Sequence, residues 1–290
     1  MDAGWWPEQS WHPASGRLGL RGLPRLTRYA LCHPRWPGPP LRIAVIADAH
    51  VNWPWTPLTV IANVVRQVQG LGADLIVLAG DLLPDRYMPC RHLEAARIVP
   101  LFSALSAPLG VWSVMGNHDY LDDPGAMASD GGLSEVAREL AAARIPLLRN
   151  RAVPLRHGGT FWLVGLDSQK GRGKRLRGYD DMGAAFAAVP EGAPAILLAH
   201  EPDCFPTADP RALLQISGHT HGGQFVLLGR RPMTPSDWGD RYAIGHHRQD
   251  GRHLVVSVGL GYSGLPLRLG VPPEVVLIEV GQGESQGGKP

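Results

Sequence analysis

The 290-residue sequence predicts an α/β fold. Three observations carry that expectation. Short runs rich in Val, Ile and Leu alternate with stretches of helical period. The first of these runs are apolar throughout, as in strands buried on both faces. The later runs follow one another closely with turn residues between them, which implies a second, mixed sheet in the C-terminal half.

Residues 1–40 are rich in Trp, Pro, Gly and Arg without a sustained period, and read as an irregular arm with one short strand around 27–31. Strands are expected at 41–47, 75–79, 111–115, 161–166, 195–199, 213–217, 224–228, 254–258 and 274–279. Helices are expected at 57–69, 91–105, 133–143 and 181–189. The first helix has Pro57 at its start and Gly70 just past its end, the usual asymmetry of helix termini. Ser134 suits the cap of the third. Residues 281–290 are Gly-rich and polar and read as a disordered tail. The expected organisation is an arm over 1–40, one domain over 41–280 and a tail over 281–290. No internal repeat is present.

Composition excludes several classes. Hydrophobic content of 44% supports a large core, and 19% charged residues is too few for a disordered chain. A formal charge of +2 does not by itself predict nucleic-acid binding. Cys32, Cys90 and Cys204 lie far apart with no CxxC spacing, which argues against a cysteine zinc site or a disulfide framework and fits a reducing compartment. The apolar runs fall short of the ~20 residues that span a bilayer. The start lacks a charged stretch followed by an apolar core, so no signal peptide is expected. The expected location is cytoplasmic. Trp5, Trp6 and Trp11, followed by Arg17, Arg21, Arg25 and Arg28, suit a peripheral contact with the inner membrane. A tail with a few anchoring aromatics is the plainer reading.

Five motifs carry chemistry: Asp48-Ala49-His50, Gly80-Asp81, Gly116-Asn117-His118-Asp119, Ala199-His200 and Gly218-His219-Thr220-His221. Each follows an apolar run, which places its polar side chains at a strand end, where open α/β sheets build their sites. Singly they are weak: an Asp after a strand is commonly a cap, and a lone His is commonly a satisfied polar residue. Five in this order form a ligand set. Carboxylate, amide and imidazole donors without thiolate suit Mn, Fe, Zn or Mg. Two such ions about 3.5–4 Å apart clamp a phosphate and supply hydroxide at neutral pH.

The motif set resembles the calcineurin-like metallophosphoesterase superfamily. The stretch 259–274, together with Gly218-His219-Thr220-His221-Gly222-Gly223-Gln224, is similar to its bacterial YaeI/YkuE-type phosphodiesterase branch, over about residues 41–280. The resemblance implies a four-layer α-β-β-α sandwich of two mixed sheets with a dinuclear metal site at the strand C-terminal ends. It implies that Asp48, His50 and His221 hold one metal, that Asn117, His200 and His219 hold the other, and that Asp81 bridges them. A metal-bridging hydroxide would attack the phosphorus. His118 would stay off the metals as acid or transition-state donor, and Asp119 would orient it. Ala49 and Asp85 depart from the pattern at positions that are not ligands.

The substrate expected on this resemblance is a phosphodiester or diphosphate. A lipid-linked or nucleotide-sugar compound such as UDP-2,3-diacylglucosamine, as in lipid A biosynthesis, is preferred. Trp53 and Trp55 follow the first motif and suit acyl chains or a nucleobase, although loop anchoring explains them equally. The run 171–178 places four cations on a glycine-rich loop that suits a diphosphate or an anionic membrane, with a solvated loop as the alternative. Nucleic acid is not favoured as a partner. His246 and His247 read as surface or supporting residues. Gly261-Tyr262-Ser263-Gly264 lacks the glycine of a G-x-S-x-G elbow, because Leu265 occupies that place. A non-catalytic metal-binding scaffold is the alternative from another class. A phosphomonoesterase or nuclease is the alternative within the superfamily.

Overall fold

The computed structural model describes residues 17–18, 23–172 and 178–283. Trp5, Trp6, Trp11, Arg21, most of the basic run 171–178 and the tail from 284 lie outside the described residues. Eleven strands of three residues or more follow in chain order: β1 (Arg25–Cys32), β2 (Leu41–Ile46), β3 (Leu75–Leu78), β4 (Val111–Ser113), β5 (Arg151–His157), β6 (Gly159–Leu166), β7 (Ala195–Ala199), β8 (Ala212–Ser217), β9 (Gly245–Gln249), β10 (Arg252–Val256) and β11 (Glu274–Gly281). They form two mixed sheets, ordered β1-β11-β2-β3-β4 and β9-β10-β8-β7-β6-β5. In the first sheet β2, β3 and β4 run parallel, and β11 lies parallel to β1 and antiparallel to β2. In the second, β6, β7, β8 and β10 run parallel, with antiparallel β5 and β9 at the edges.

The period of two along each strand builds the layers. Ala44, Ile46, Ile76 and Leu78 face one core, and the intervening Ile43, Val45, Leu75 and Val77 face another. The second core also takes Leu163, Ile196, Leu198, Ile216 and Val255, so it lies between the sheets. Val164, Leu166, Leu197 and Ala199 point the other way into a third core. Helix α1 (Leu58–Gln69) buries Val60, Ile61, Val64, Val65 and Val68 against the outer face of the first sheet. Three cores between four layers are the expected sandwich. Each fully buried aliphatic side chain contributes about 1.5–3 kcal/mol.

Most elements match the sequence, and two differ. The helix expected over 91–105 breaks into a two-residue strand Arg91–His92 paired with Asn52–Trp53, then α2 (Ala95–Ile98), then a 3-10 turn Val99–Ala104. Pro100 has no N–H to continue α-helical bonding, so the chain tightens there. No strand forms over 224–228. Phe225 and Leu227 make only isolated bridges, because Leu227 and Arg230 close a tight reverse turn. Strands β5 and β9 and the short helices α3 (His118–Leu121) and α4 (Pro124–Ala128) were not apparent from periodicity. Two further helices are the expected ones in shortened form. Ser134 accepts from Ala137 N at the start of α5 (Glu135–Ala142), and Asp181 caps α6 (Met182–Phe186). The expected strand in the arm spans Arg25–Cys32 and joins the first sheet beside β11. Among the described residues no helix is long and apolar enough to cross a membrane.

Candidate metal centre

All five motifs come together where β2, β3, β4, β7 and β8 end. The strands stop one to four residues before the candidate ligand side chains. The backbone then turns left-handed at Asp48 (φ 48°), His50 (φ 40°), Asp81 (φ 55°), His219 (φ 71°) and His221 (φ 51°). That conformation costs non-glycine residues of order 1 kcal/mol or more each and concentrates at functional sites. Tight packing enforces it. A Cβ on Gly116 would stand 2.2 Å from Asp81 Oδ1, so the residue before Asn117 has no room for a side chain.

Two groups of donors result. Ligand atoms of Asp48, His50 and His221 lie within 4.8 Å of one another, and so do those of Asp81, His200 and His219. Asp81 joins them: its Oδ2 is 3.4 Å from His50 Nε2 and 3.1 Å from His200 Nε2. All six residues are buried. Asp48 Oδ2, Asn117 Oδ1 and His200 Nε2 are buried without a hydrogen-bond partner, since the close approach of His200 to Asp81 lacks the alignment of a hydrogen bond. Buried polar atoms are seldom left unsatisfied, and a cation would satisfy these three.

The histidine tautomers point the same way. His50 Nδ1 bonds Leu83 O, His200 Nδ1 bonds Ala79 O, and His219 Nε2 bonds Pro235 O. A carbonyl only accepts, so each of these nitrogens carries the proton, and the other ring nitrogen presents its lone pair to the site. Metal-binding histidines are oriented in this way. His221 differs, because its Nδ1 lies 3.1 Å from the Arg268 guanidinium.

Burial pushes the Asp48 carboxyl up to about 7 and His50 down to about 4, and holds His219 and His221 well below the usual imidazole range. Burial also opposes charge on Asp81 and His200, but their mutual attraction overrides it. Asp81 sits well below, and His200 well above, its ordinary value. The carboxylates thus demand positive charge, which a proton on His200 supplies. A divalent cation answers the same demand and displaces that proton. The donor set fits two divalent ions.

A third cluster holds Asp85, His118 and Asp122. His118 Nδ1 contacts Asp122 Oδ2 at 2.5 Å, and the His118 backbone N donates to Asp81 Oδ1 at 2.8 Å. Burial works against the imidazolium, yet Asp81, Asp122 and Asp85 raise His118 to about 9. The role expected for Asp119 therefore needs correction. Its carboxylate accepts from the backbone N–H groups of Asp81, Leu82, Leu83 and Gly116 and does not meet the His118 ring. It braces the loop that carries Asp81, and Asp122 is the partner of His118.

The stretch 259–274 supports the first donor group from behind. Leu260 N donates to Ala47 O, and Gly261 N donates to Asp48 O. A Cβ on Gly259 would lie 2.5 Å from Asp48 Cβ. Buried Arg268 donates to Val258 O and Gly261 O, and Glu274 accepts from Val258 N. Ser263 Oγ donates to Asp85 rather than to any histidine. Trp53 is exposed, whereas Trp55 is half-buried and donates to Pro89 O.

The model of the calcineurin-like phosphoesterase family matches residues 41–223, more than half of the chain. The chain belongs to the calcineurin-like phosphoesterase family. Its relatives include the uncharacterized metallophosphoesterase YkuE of Bacillus subtilis (strain 168), 30% identical over 81% of this chain and 77% of that protein. Phosphodiesterase YaeI of Escherichia coli (strain K12) is 28% identical over 88% of this chain and 87% of that protein. A transmembrane protein with metallophosphoesterase domain from Danio rerio is 29% identical over 83% of this chain and 53% of that protein. Members of the family use divalent metals. This member is a metallophosphoesterase, a hydrolase of phosphoester bonds, and its two donor groups are candidates for a dinuclear centre.

Proposed function

We propose that this chain hydrolyses a phosphodiester or diphosphate bond. The observation that carries the reading is a histidine held off two adjoining donor groups: His118, fixed by Asp122, beside the Asp81 whose carboxylate lies against a histidine of each group. In this reading Asp48, His50 and His221 hold one divalent ion and Asn117, His200 and His219 the other, with Asp81 between them. Two divalent ions there supply charge neutralisation and a hydroxide nucleophile at neutral pH.

The chain's own residues do the rest. Asp81 keeps the two groups in register. His118, protonated at neutral pH by its carboxylate neighbours, gives its proton to the departing ester oxygen. Asp122 fixes which ring nitrogen faces the substrate. Asp119 holds the Asp81 loop rigid through four backbone N–H bonds. Mn, Fe, Zn and Mg all suit the donors. A lipid-linked or nucleotide-sugar diphosphate such as UDP-2,3-diacylglucosamine is the finer proposal. Support for a diester comes from the relative named phosphodiesterase.

Hydrolysis of bis-p-nitrophenyl phosphate and p-nitrophenyl phosphate by metal-stripped protein reloaded with Mn, Mg or Zn tests the reading. Metal-dependent turnover that favours the diester is expected, and UDP-diacylglucosamine then tests the substrate. Two bound ions with no turnover on any of the three compounds would favour a scaffold.

A further inference from the structure

Eleven large apolar side chains are exposed among the described residues, and ten of them lie on connections that leave the ligand-bearing end of the sheets. Leu23 is the exception. Trp53 follows β2, Tyr87 follows β3, Met127 follows β4, Leu228 follows β8 and Leu265 follows β10. Parallel strands bring these connections to one end. Exposed apolar patches of this kind mark interaction surfaces.

Leu228 is the sharpest case. It is fully exposed, at φ 50°, and Gly229 follows at φ 78°. These are the central positions of a turn closed by Leu227 and Arg230, where Asn or Gly fits without strain. Leucine adds nothing to that turn and offers an apolar tip to whatever lies outside.

The tips form a braced rim. The Asp85 carboxylate accepts from Tyr87 N, Ser263 Oγ and Gly264 N, which ties the connection after β3 to the one after β10. The Gln224 side chain donates to Ser263 O and accepts from Ser263 N, which adds the connection after β8. Trp53 pairs in register with Arg91.

Charge selects the occupant. Arg91 and Arg230 are exposed, and neither has an ion-pair partner among the described residues. One stands beside Trp53 and the other beside Leu227 and Leu228. Of the exposed acids on these connections, Asp130 pairs with Arg172, Asp237 shares Lys170 with Asp203, Asp240 accepts from Arg231 N and Thr234 Oγ1, and Glu94 has no ion-pair partner among the described residues. Trp and Tyr favour the membrane–water interface, and arginine favours anionic headgroups.

We propose that this rim docks on a bilayer surface containing anionic phospholipid, with its apolar tips in the interfacial region and Arg91 and Arg230 on lipid phosphates. Docking sets the donor groups at headgroup level. It stands independently of the catalytic reading, because binding needs no turnover.

Sedimentation of the full chain with vesicles tests it. The protein should bind vesicles that contain phosphatidylglycerol and bind phosphatidylcholine alone weakly. Trp53→Ser with Leu228→Ser should lower the bound fraction roughly tenfold without moving the melting temperature. Arg91→Glu with Arg230→Glu should abolish the preference for anionic vesicles. Absence of binding to either vesicle overturns the proposal. So does equal binding by both variants, which would place the contact elsewhere on the chain. A dimer that the Trp53 and Leu228 changes dissolve, with vesicle binding unaltered, would give the rim to a second copy instead.

Discussion

Asp119 and Asp122 show how one residue's geometry decides a role that proximity in sequence suggests wrongly. His118 begins a short helix. Neighbours at i and i+1 do not face each other there, whereas i and i+4 do. Asp122→Asn should cut kcat for the diester by about 10²-fold with little change in KM, since the general acid loses its orientation. A wild-type kcat and pH profile in that variant would show that Asp122 only supports structure. Asp119→Asn should instead lower the melting temperature, because four backbone N–H groups lose a charged acceptor. The candidate ligand residues stood out in the sequence because Asp, Asn and His after apolar runs have few other reasons to recur in that order, and the fold brings them together. Their left-handed backbone did not, since tertiary packing imposes it against local preference. The roles of Asp122 and Arg268 were missed for a related reason: Asp122 lies outside the five motifs, Arg268 stands in the stretch 259–274 with nothing there to mark its part, and each acts through a contact that only the fold creates.

Elements were legible where local chemistry acts alone. The cap at Ser134 and the amphipathic stripe of α1 are local, and both appear as expected. Strand ends were overrun because burial outlasts the ladder. Ala47, Ala79 and Met115 are buried, yet the chain has already begun to turn towards Asp48, Gly80 and Asn117. Asp123 is a second local device. It accepts from Gly125 N and Ala126 N at the start of α4, and from Ser134 Oγ and Glu135 N at the start of α5. One buried carboxylate thus serves two helix ends. Asp123→Ala should cost about 2–4 kcal/mol in urea unfolding, more than an ordinary single cap. A loss under about 1 kcal/mol would mean that water replaces it.

The whole molecule stores pH sensitivity away from the metal centre. His246 and His253 stack at 5.1 Å near the open edge of the second sheet, and burial lowers both to about 4. In the unfolded chain they titrate near 6.5. Between those values the unfolded state binds more protons, so stability rises with pH and is lost as pH falls through that window. A variant with His246→Gln and His253→Gln should lose less unfolding free energy between pH 7 and pH 4.5 than the wild type. Equal losses would place the acid sensitivity elsewhere. Chelation should lower the melting temperature by roughly 5–10 °C if ions bind the folded site, and calorimetry reads it directly. The position of β11 has a further consequence. This strand lies between β1 and β2, and the stretch that backs Asp48 and His50 immediately precedes it. On a ribosome both are synthesised after all five motifs. A nascent chain therefore carries the candidate ligands before it can hold them in place, and hydrolytic competence waits for β11 to insert.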